Sequence, residues 1–253
     1  MKSMTLEELR QIAESVGEIE GWDFSRVRYG RGPIPWDYED IVRQYLKPTD
    51  RVLDIGTGGG EIFLSLAPYF GEGVGIDDYP PMLETAQRNQ SNRSIDNVRW
   101  MRMGADDLEF GPEEFDVVLT RHLEVHVAEI VRVLRPGGYF ITQMVGKNSS
   151  KNFLEAFGWT PASFGPHWWQ PVAELADQFQ SQGCHILAQG EYDVPYWFRD
   201  IDSFIFWMMA VPWPEEIQLE KHWQNINRIL QTSTTSRGIE TNEHRGLLIV
   251  QKC

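Results

Sequence analysis

Short apolar runs alternate with amphipathic stretches along most of this chain. Leu6, Leu9, Ile12, Ala13 and Val16 share one helical face, and Thr5 with Glu8 has the spacing of a capping box before it. Residues 21–35 mix Gly, Pro, Arg and aromatic residues without a period and read as a loop. Tyr38, Ile41, Val42, Tyr45 and Leu46 predict a second helix, stopped by Pro48. Strands are predicted over Val52–Ile55, Val74–Ile76, Val98–Met103, Phe115–Thr120, Tyr139–Val145, Cys184–Val194 and Leu247–Val250. Helical patterns fall between them: Glu61–Ala67, a helix opening on Pro80-Pro81, Val127–Leu134, a short helix carrying Phe153, Leu154 and Phe157, and Val172–Phe179. Two further helices, Ile201–Met209 and Glu215–Leu230, precede the last strand. Strands that mostly alternate with helices predict a mostly parallel α/β sheet covered on both faces.

The first predicted strand runs into Gly56-Thr57-Gly58-Gly59-Gly60 and then into a helix. A glycine turn at a helix N-terminus lets a nucleotide-like ligand approach the backbone. The dinucleotide pattern Gly-x-Gly-x-x-Gly fails, because its last position falls on Glu61. An NAD-linked oxidoreductase is therefore the least favoured reading. A carboxylate at the strand end, Asp54, suits a ligand carrying an ammonium and a sulfonium better than one carrying phosphates. Asp77 closes the second strand, where ribose hydroxyls are bound in nucleoside-binding sheets.

The pieces Asp54-x-Gly56-x-Gly58-x-Gly60, Val74-Gly75-Ile76-Asp77 with Met82-Leu83, Phe115-Asp116-Val117-Val118 and Leu134-Arg135-Pro136-Gly137-Gly138 occur in one order over residues 50–146. Together they resemble the class I S-adenosylmethionine methyltransferases. The resemblance implies a seven-stranded Rossmann-like sheet, mostly parallel with the last strand antiparallel, flanked by helices. It implies S-adenosylmethionine as cofactor, with Asp54, Gly56, Thr57, Gly58, Gly60, Asp77, Ala105, Asp106, Thr120 and Arg121 lining its site. One departure concerns the adenine contact: similar enzymes carry Asp-Ala where this chain has Gly104-Ala105, and Asp106 is a substitute one residue later. Smaller matches, among them Trp22-Asp23-Phe24, Trp36-Asp37-Tyr38 and Arg121-His122, look like a bacterial branch acting on small molecules.

On this reading residues 1–47 form an N-terminal helical segment, 48–196 the cofactor-binding core, 197–240 a helical lid and 241–253 the final core strand. The Gly146–Pro171 segment and the Pro195–Arg245 insertion hold Trp159, Trp168, Trp169, Trp197, Trp207, Trp213 and Trp223, seven of the ten tryptophans. They are expected to form an aromatic lid, with at least two lining an acceptor pocket and the others packing the added helices. Acceptor chemistry is expected just after the fourth core strand, at Arg121-His122. His122 is the candidate base or orienting group, set against a helix-terminal histidine bound to backbone or solvent. Arg121 could pair with a carboxylate of the donor or of the substrate, or form a surface ion pair. His122 and His126 are too few for a metal site, and none is expected.

Composition narrows the partners. A formal charge of −14 over 253 residues repels phosphate backbones and disfavours a nucleic-acid substrate. No apolar run approaches a membrane span, residues 1–10 lack a signal-peptide core, and Cys184 and Cys253 lie far apart. A cytoplasmic protein is expected, monomer or homodimer, that methylates a small, partly apolar molecule. An RNA methyltransferase and a non-catalytic cofactor-binding module are the alternatives.

Overall fold

The computed structural model describes residues 3–165 and 169–253. Trp168, expected in the aromatic lid, lies outside the described residues. The elements in chain order are α1 (Leu6–Val16), β1 (Tyr29–Arg31), α2 (Tyr38–Arg43), β2 (Arg51–Ile55), α3 (Glu61–Leu66), β3 (Glu72–Asp77), α4 (Pro80–Arg93) and β4 (Val98–Arg102). They continue with β5 (Phe115–Arg121), α5 (Val127–Val133), β6 (Leu134–Val145), α6 (Lys151–Phe157), α7 (Val172–Ser181), β7 (Cys184–Phe198), α8 (Ile201–Ala210), α9 (Leu219–Ser233) and β8 (Ile239–Lys252).

One sheet runs β1-β7-β8-β6-β5-β2-β3-β4. Strands β4, β3, β2, β5 and β6 are mutually parallel, and β8 enters antiparallel between β6 and β7. This is the expected Rossmann-like methyltransferase sheet with one strand more than predicted. The extra strand is β1, in the stretch read as a loop, paired antiparallel with the end of β7. Three residues around a glycine leave no periodicity to detect. The contacts that hold β1 are distant in sequence: Tyr29 stacks on Tyr196 at 5.1 Å, and a Cβ on Gly30 would lie 2.4 Å from the Trp197 indole.

The central strands are apolar on both faces, as a doubly covered parallel sheet requires. Leu53, Val74, Val118 and Phe140 face α5 and α7, whose Ile130, Leu175 and Phe179 fill that side. Val52, Val117, Leu119 and Ile141 face α2 and α3, whose Val42, Phe63 and Leu64 fill the other. A third core lies beyond the carboxyl ends of the strands. There α1, α6, α8 and α9 bury Leu9, Phe153, Phe198, Phe204 and Ile226 together.

Strands β7 and β8 are longer than the sequence pattern indicates. Their pairing runs on to Phe198–Ile239, so the insertion leaves and returns higher than predicted. The added stretch Ile239-Glu-Thr-Asn-Glu-His-Arg245 is too polar to read as a buried strand. It stands as a ribbon above the sheet that carries the third core on its upper part.

Candidate active site

The site lies at the carboxyl ends of β2, β3 and β5. The chain crosses from β2 to β3 on one side and places β5 on the other, a topological switch point where open α/β sheets bind ligands. Asp54 occupies a position on the α2/α3 face of β2 that Val52 below it fills with an apolar side chain. Burial pushes its pKa up to about 7, against the opposing pull of the Thr57 hydroxyl and the Arg121 guanidinium, while Asp77 adds to the rise. Among the described residues Asp54 makes no ion pair. A carboxylate so placed gains most from an incoming cation.

The turn after β2 is built by geometry that glycine alone adopts readily. Gly56, Gly58 and Gly60 have φ of 70°, 57° and 72°. The amides of Gly56 and Thr57 both donate to Ile76 O at 2.9 Å, which ties the turn to the end of β3. Gly58 N donates to Asp77 Oδ2 at 2.9 Å, and Tyr79 N to Asp77 Oδ1 at 3.0 Å. Each Asp77 oxygen thus takes one backbone donor and keeps capacity for another. Thr57 Oγ1 is buried without a hydrogen-bond partner of standard geometry. Trp22 closes over this floor: its amide donates to Glu61 Oε1 at 3.0 Å, and a Cβ on Gly58 would lie 2.4 Å from its indole.

At Gly104 the space left by the absent side chain is used. A Cβ there would sit 2.8 Å from Asp106 Oδ1, so the Asp106 carboxylate folds back over position 104. Ala105 is half-buried beside it.

Beyond β5 the chain turns sharply. His122 has φ 61°, uncommon for a residue with a side chain and a mark of local strain. Its amide donates to Gln143 O at 2.9 Å. The residue is exposed at the carboxyl edge of the sheet, yet neighbouring protein atoms partly desolvate its ring. That desolvation, reinforced by the guanidiniums of Arg121 and Arg245, lowers its pKa well below the ordinary 6.5 and favours the neutral imidazole. Arg121 lies over the Tyr38 ring at 5.9 Å. Tyr38 is buried, donates to Thr120 O at 3.4 Å, and is held protonated by burial and by Asp54.

The structure therefore brings Asp54, the glycine turn, Asp77 and Arg121 to one edge, with His122 beside them and Asp106 beyond β3. Thr120 departs from this group: it is 1% exposed and lies one residue out of phase with Arg121, on the opposite sheet face from Asp54. His126 caps α5, and among the described residues no cluster could hold a metal ion. Trp22, Tyr38, Gln143 and Arg245 join the site without having been singled out as site residues. Only Trp22 and Tyr38 sat in motifs the sequence marked.

The tryptophans expected in the lid mostly serve the third core. Trp159, Trp207, Trp213 and Trp223 pack with Phe157, Phe198 and Ile226. Trp197 lies under Arg237, and Trp169 under Lys147. Trp213 alone of these six also borders a cavity of about 250 Å³ together with Trp22, Met208, Met209, Pro212 and Ile217.

A strand order with this glycine turn, and acids ending β2 and β3, defines a class I methyltransferase fold. Comparison with known proteins agrees: residues 53–142 match the family described as "Methyltransferase domain". The match spans the parallel part of the sheet, from β2 to β6. It is 35% identical over 98 residues to the uncharacterized methyltransferase YcgJ of Bacillus subtilis, a match covering 36% of this chain and 39% of YcgJ. A demethylmenaquinone methyltransferase of Symbiobacterium thermophilum is 27% identical over 195 residues, covering 72% of this chain and 70% of the relative. The crystal structure of a putative methyltransferase from Bacillus halodurans superposes with a TM-score of 0.63 at 18% identity, over 85% of this chain and 98% of that one. The match to YcgJ thus spans about two fifths of that relative's length.

Proposed function

We propose that this protein binds S-adenosylmethionine and transfers its methyl group to a small, partly apolar molecule, releasing S-adenosylhomocysteine. The observation that carries the reading is the arrangement of Asp54, the Gly56–Gly60 turn and Asp77. A raised-pKa carboxylate without a cationic partner fits an ammonium, and an amide-anchored acid with spare acceptor capacity fits ribose hydroxyls. When bound, S-adenosylmethionine supplies an activated methyl group open to in-line displacement. Asp106, folded over the Gly104 position, is the residue offered to the adenine edge.

The protein's share of the work is positioning. Asp54 and Arg121 would fix the amino-acid end of the donor, and Trp22 and Leu123 would wall the turn against water. A Cβ on Gly56 would lie 2.8 Å from Leu123 Cδ2, so that side chain already presses on the turn. A neutral His122 accepts a proton from an acceptor hydroxyl or ammonium if the nucleophile carries one. The name of the Symbiobacterium relative and the net charge of −14 both favour a small acceptor over RNA.

Calorimetry with S-adenosylmethionine and S-adenosylhomocysteine tests donor binding, with Asp77→Ala expected to weaken both at least tenfold. Tritiated-methyl transfer to a metabolite extract tests catalysis. His122→Ala should lower transfer with little change in donor affinity. Absence of donor binding by the intact protein would overturn the reading.

A further inference from the structure

The sheet face that carries Asp54 also carries a second polar group, three strands further along. On β8, Glu243 and Arg245 point to the same face as Tyr192 of β7, which pairs directly with Arg245. Glu243 is shared: its Oε1 meets Arg245 Nη2 at 3.3 Å and its Oε2 meets Arg31 Nη1 at 3.4 Å. Arg245 also donates to Ser149 Oγ at 3.0 Å and to the carbonyl of His244 at 2.9 Å. The side chains of Arg31, Glu243 and Arg245 are 31%, 13% and 17% exposed.

One carboxylate thus serves two guanidiniums through long contacts, and a third guanidinium, Arg121, is near enough to oppose Arg245's charge. Two half-buried guanidiniums that share one acid, one of them also facing the charge of Arg121, leave an excess of positive charge that a further anion would offset. In a protein of charge −14 this local excess of positive charge is not a property of the surface at large. We infer that Arg31 and Arg245 form the anion-binding end of the acceptor site, and that the methyl acceptor is a small organic carboxylate. This inference rests on the proposed methyl-transfer function.

The donor's own carboxylate is the other source of such chemistry, and distance argues against it. Asp54 on β2 and Arg245 on β8 are separated by β5 and β6, roughly 14 Å at about 4.8 Å per strand. Arg121, near enough to Asp54 to lower its pKa, would be the guanidinium available to the carboxylate of a donor whose ammonium met Asp54. His122 lies between the two groups, so an acceptor anchored at Arg245 would present its remaining atoms to a neutral imidazole.

The test is a binding series with the intact protein saturated with S-adenosylhomocysteine. The probes are benzoate, 4-hydroxybenzoate, phenylacetate and butanoate, each set against its own primary amide. At least one carboxylate is expected to bind saturably and about tenfold or more tighter than its amide, the range of one charge-assisted contact. Arg245→Gln should erase that preference while S-adenosylhomocysteine affinity stays within about twofold. Glu243→Gln should instead tighten carboxylate binding severalfold by removing the competing acid, a gain that damage to the fold cannot produce. Equal binding of acids and amides, no binding by any acid, or weakening in Glu243→Gln would overturn the inference. So would a loss confined to S-adenosylhomocysteine, which would assign the guanidiniums to the donor. Failure of S-adenosylhomocysteine to bind the unmodified protein defeats the methyl-transfer reading, and the probes can still be run without it.

Discussion

The carboxyl edge of the sheet and the helical layer above it are built on opposite principles. At the edge, polar groups sit where apolar ones would pack better: Asp54 above Val52, a strained His122, and a buried Thr57 hydroxyl beside Asp54. In the helical layer nearly everything serves packing. Phe153 meets Phe198, Phe204 and Trp207 with ring centroids 5.4 to 6.3 Å apart, and Asn227 satisfies both the amide and the carbonyl of Met4. Aromatic residues massed over a predicted opening are therefore first a core, and only at the boundary a wall. The strongest test of that contrast is Phe153→Ala. It empties a fully buried site and should cost about 3–5 kcal/mol in denaturant unfolding followed by tryptophan fluorescence. Donor affinity of the protein still folded should change by less than about twofold. A large loss of affinity at unchanged stability would mean the layer reaches into the site.

The same contrast explains what the sequence revealed. Central strands are local and doubly apolar, so Leu53, Val118 and Ile141 announce themselves, and the glycine turn with Asp54 and Asp77 is readable from spacing alone. Strand β1 was hidden because its stability comes from Tyr196 and Trp197, well over a hundred residues away. The upper half of β8 was hidden because its polar residues pair with other polar groups, Glu243 with Arg31 and Arg245 and Asn242 with Asp193, which breaks the apolar rule for strands. Arg245 was missed for that reason. The resemblance put Thr120 in the site together with Arg121, whereas strand alternation puts the two on opposite faces of the sheet.

A second prediction concerns the cost of an acid at the edge. Asp54 has a folded pKa of about 7 against an ordinary 3.8. The folded protein therefore binds a proton that the unfolded chain has already lost over that window. Its contribution to stability is intact below about pH 4 and declines as pH rises toward 7. Donor binding runs the other way, because the ammonium requires the ionised acid. Affinity should rise on the order of a hundredfold between pH 5 and 8 and level off above about 7. Asp54→Asn should flatten both trends. A donor affinity independent of pH in the unmodified protein would mean that Asp54 is already ionised at pH 5 or does not meet the ammonium.

The smallest expected effect tests where the two regions touch. Trp22 belongs to the segment leading out of α1, borders the cavity beside α8, and rests on Gly58 of the sheet edge. Gly58→Ala must hold a left-handed φ, costing about 1 kcal/mol, and must also push the indole away, costing about 1–2 kcal/mol more. Trp22→Ala removes the second term and leaves the first. The two substitutions together should therefore destabilise less than their sum, with a coupling of about 1 kcal/mol in a double-mutant cycle. Strict additivity would separate Trp22 from the glycine turn in solution and leave the edge open from above. Coupling of the expected sign would make Trp22 an aromatic residue common to both regions, and so a means by which packing in the helical layer bears on the floor of the site.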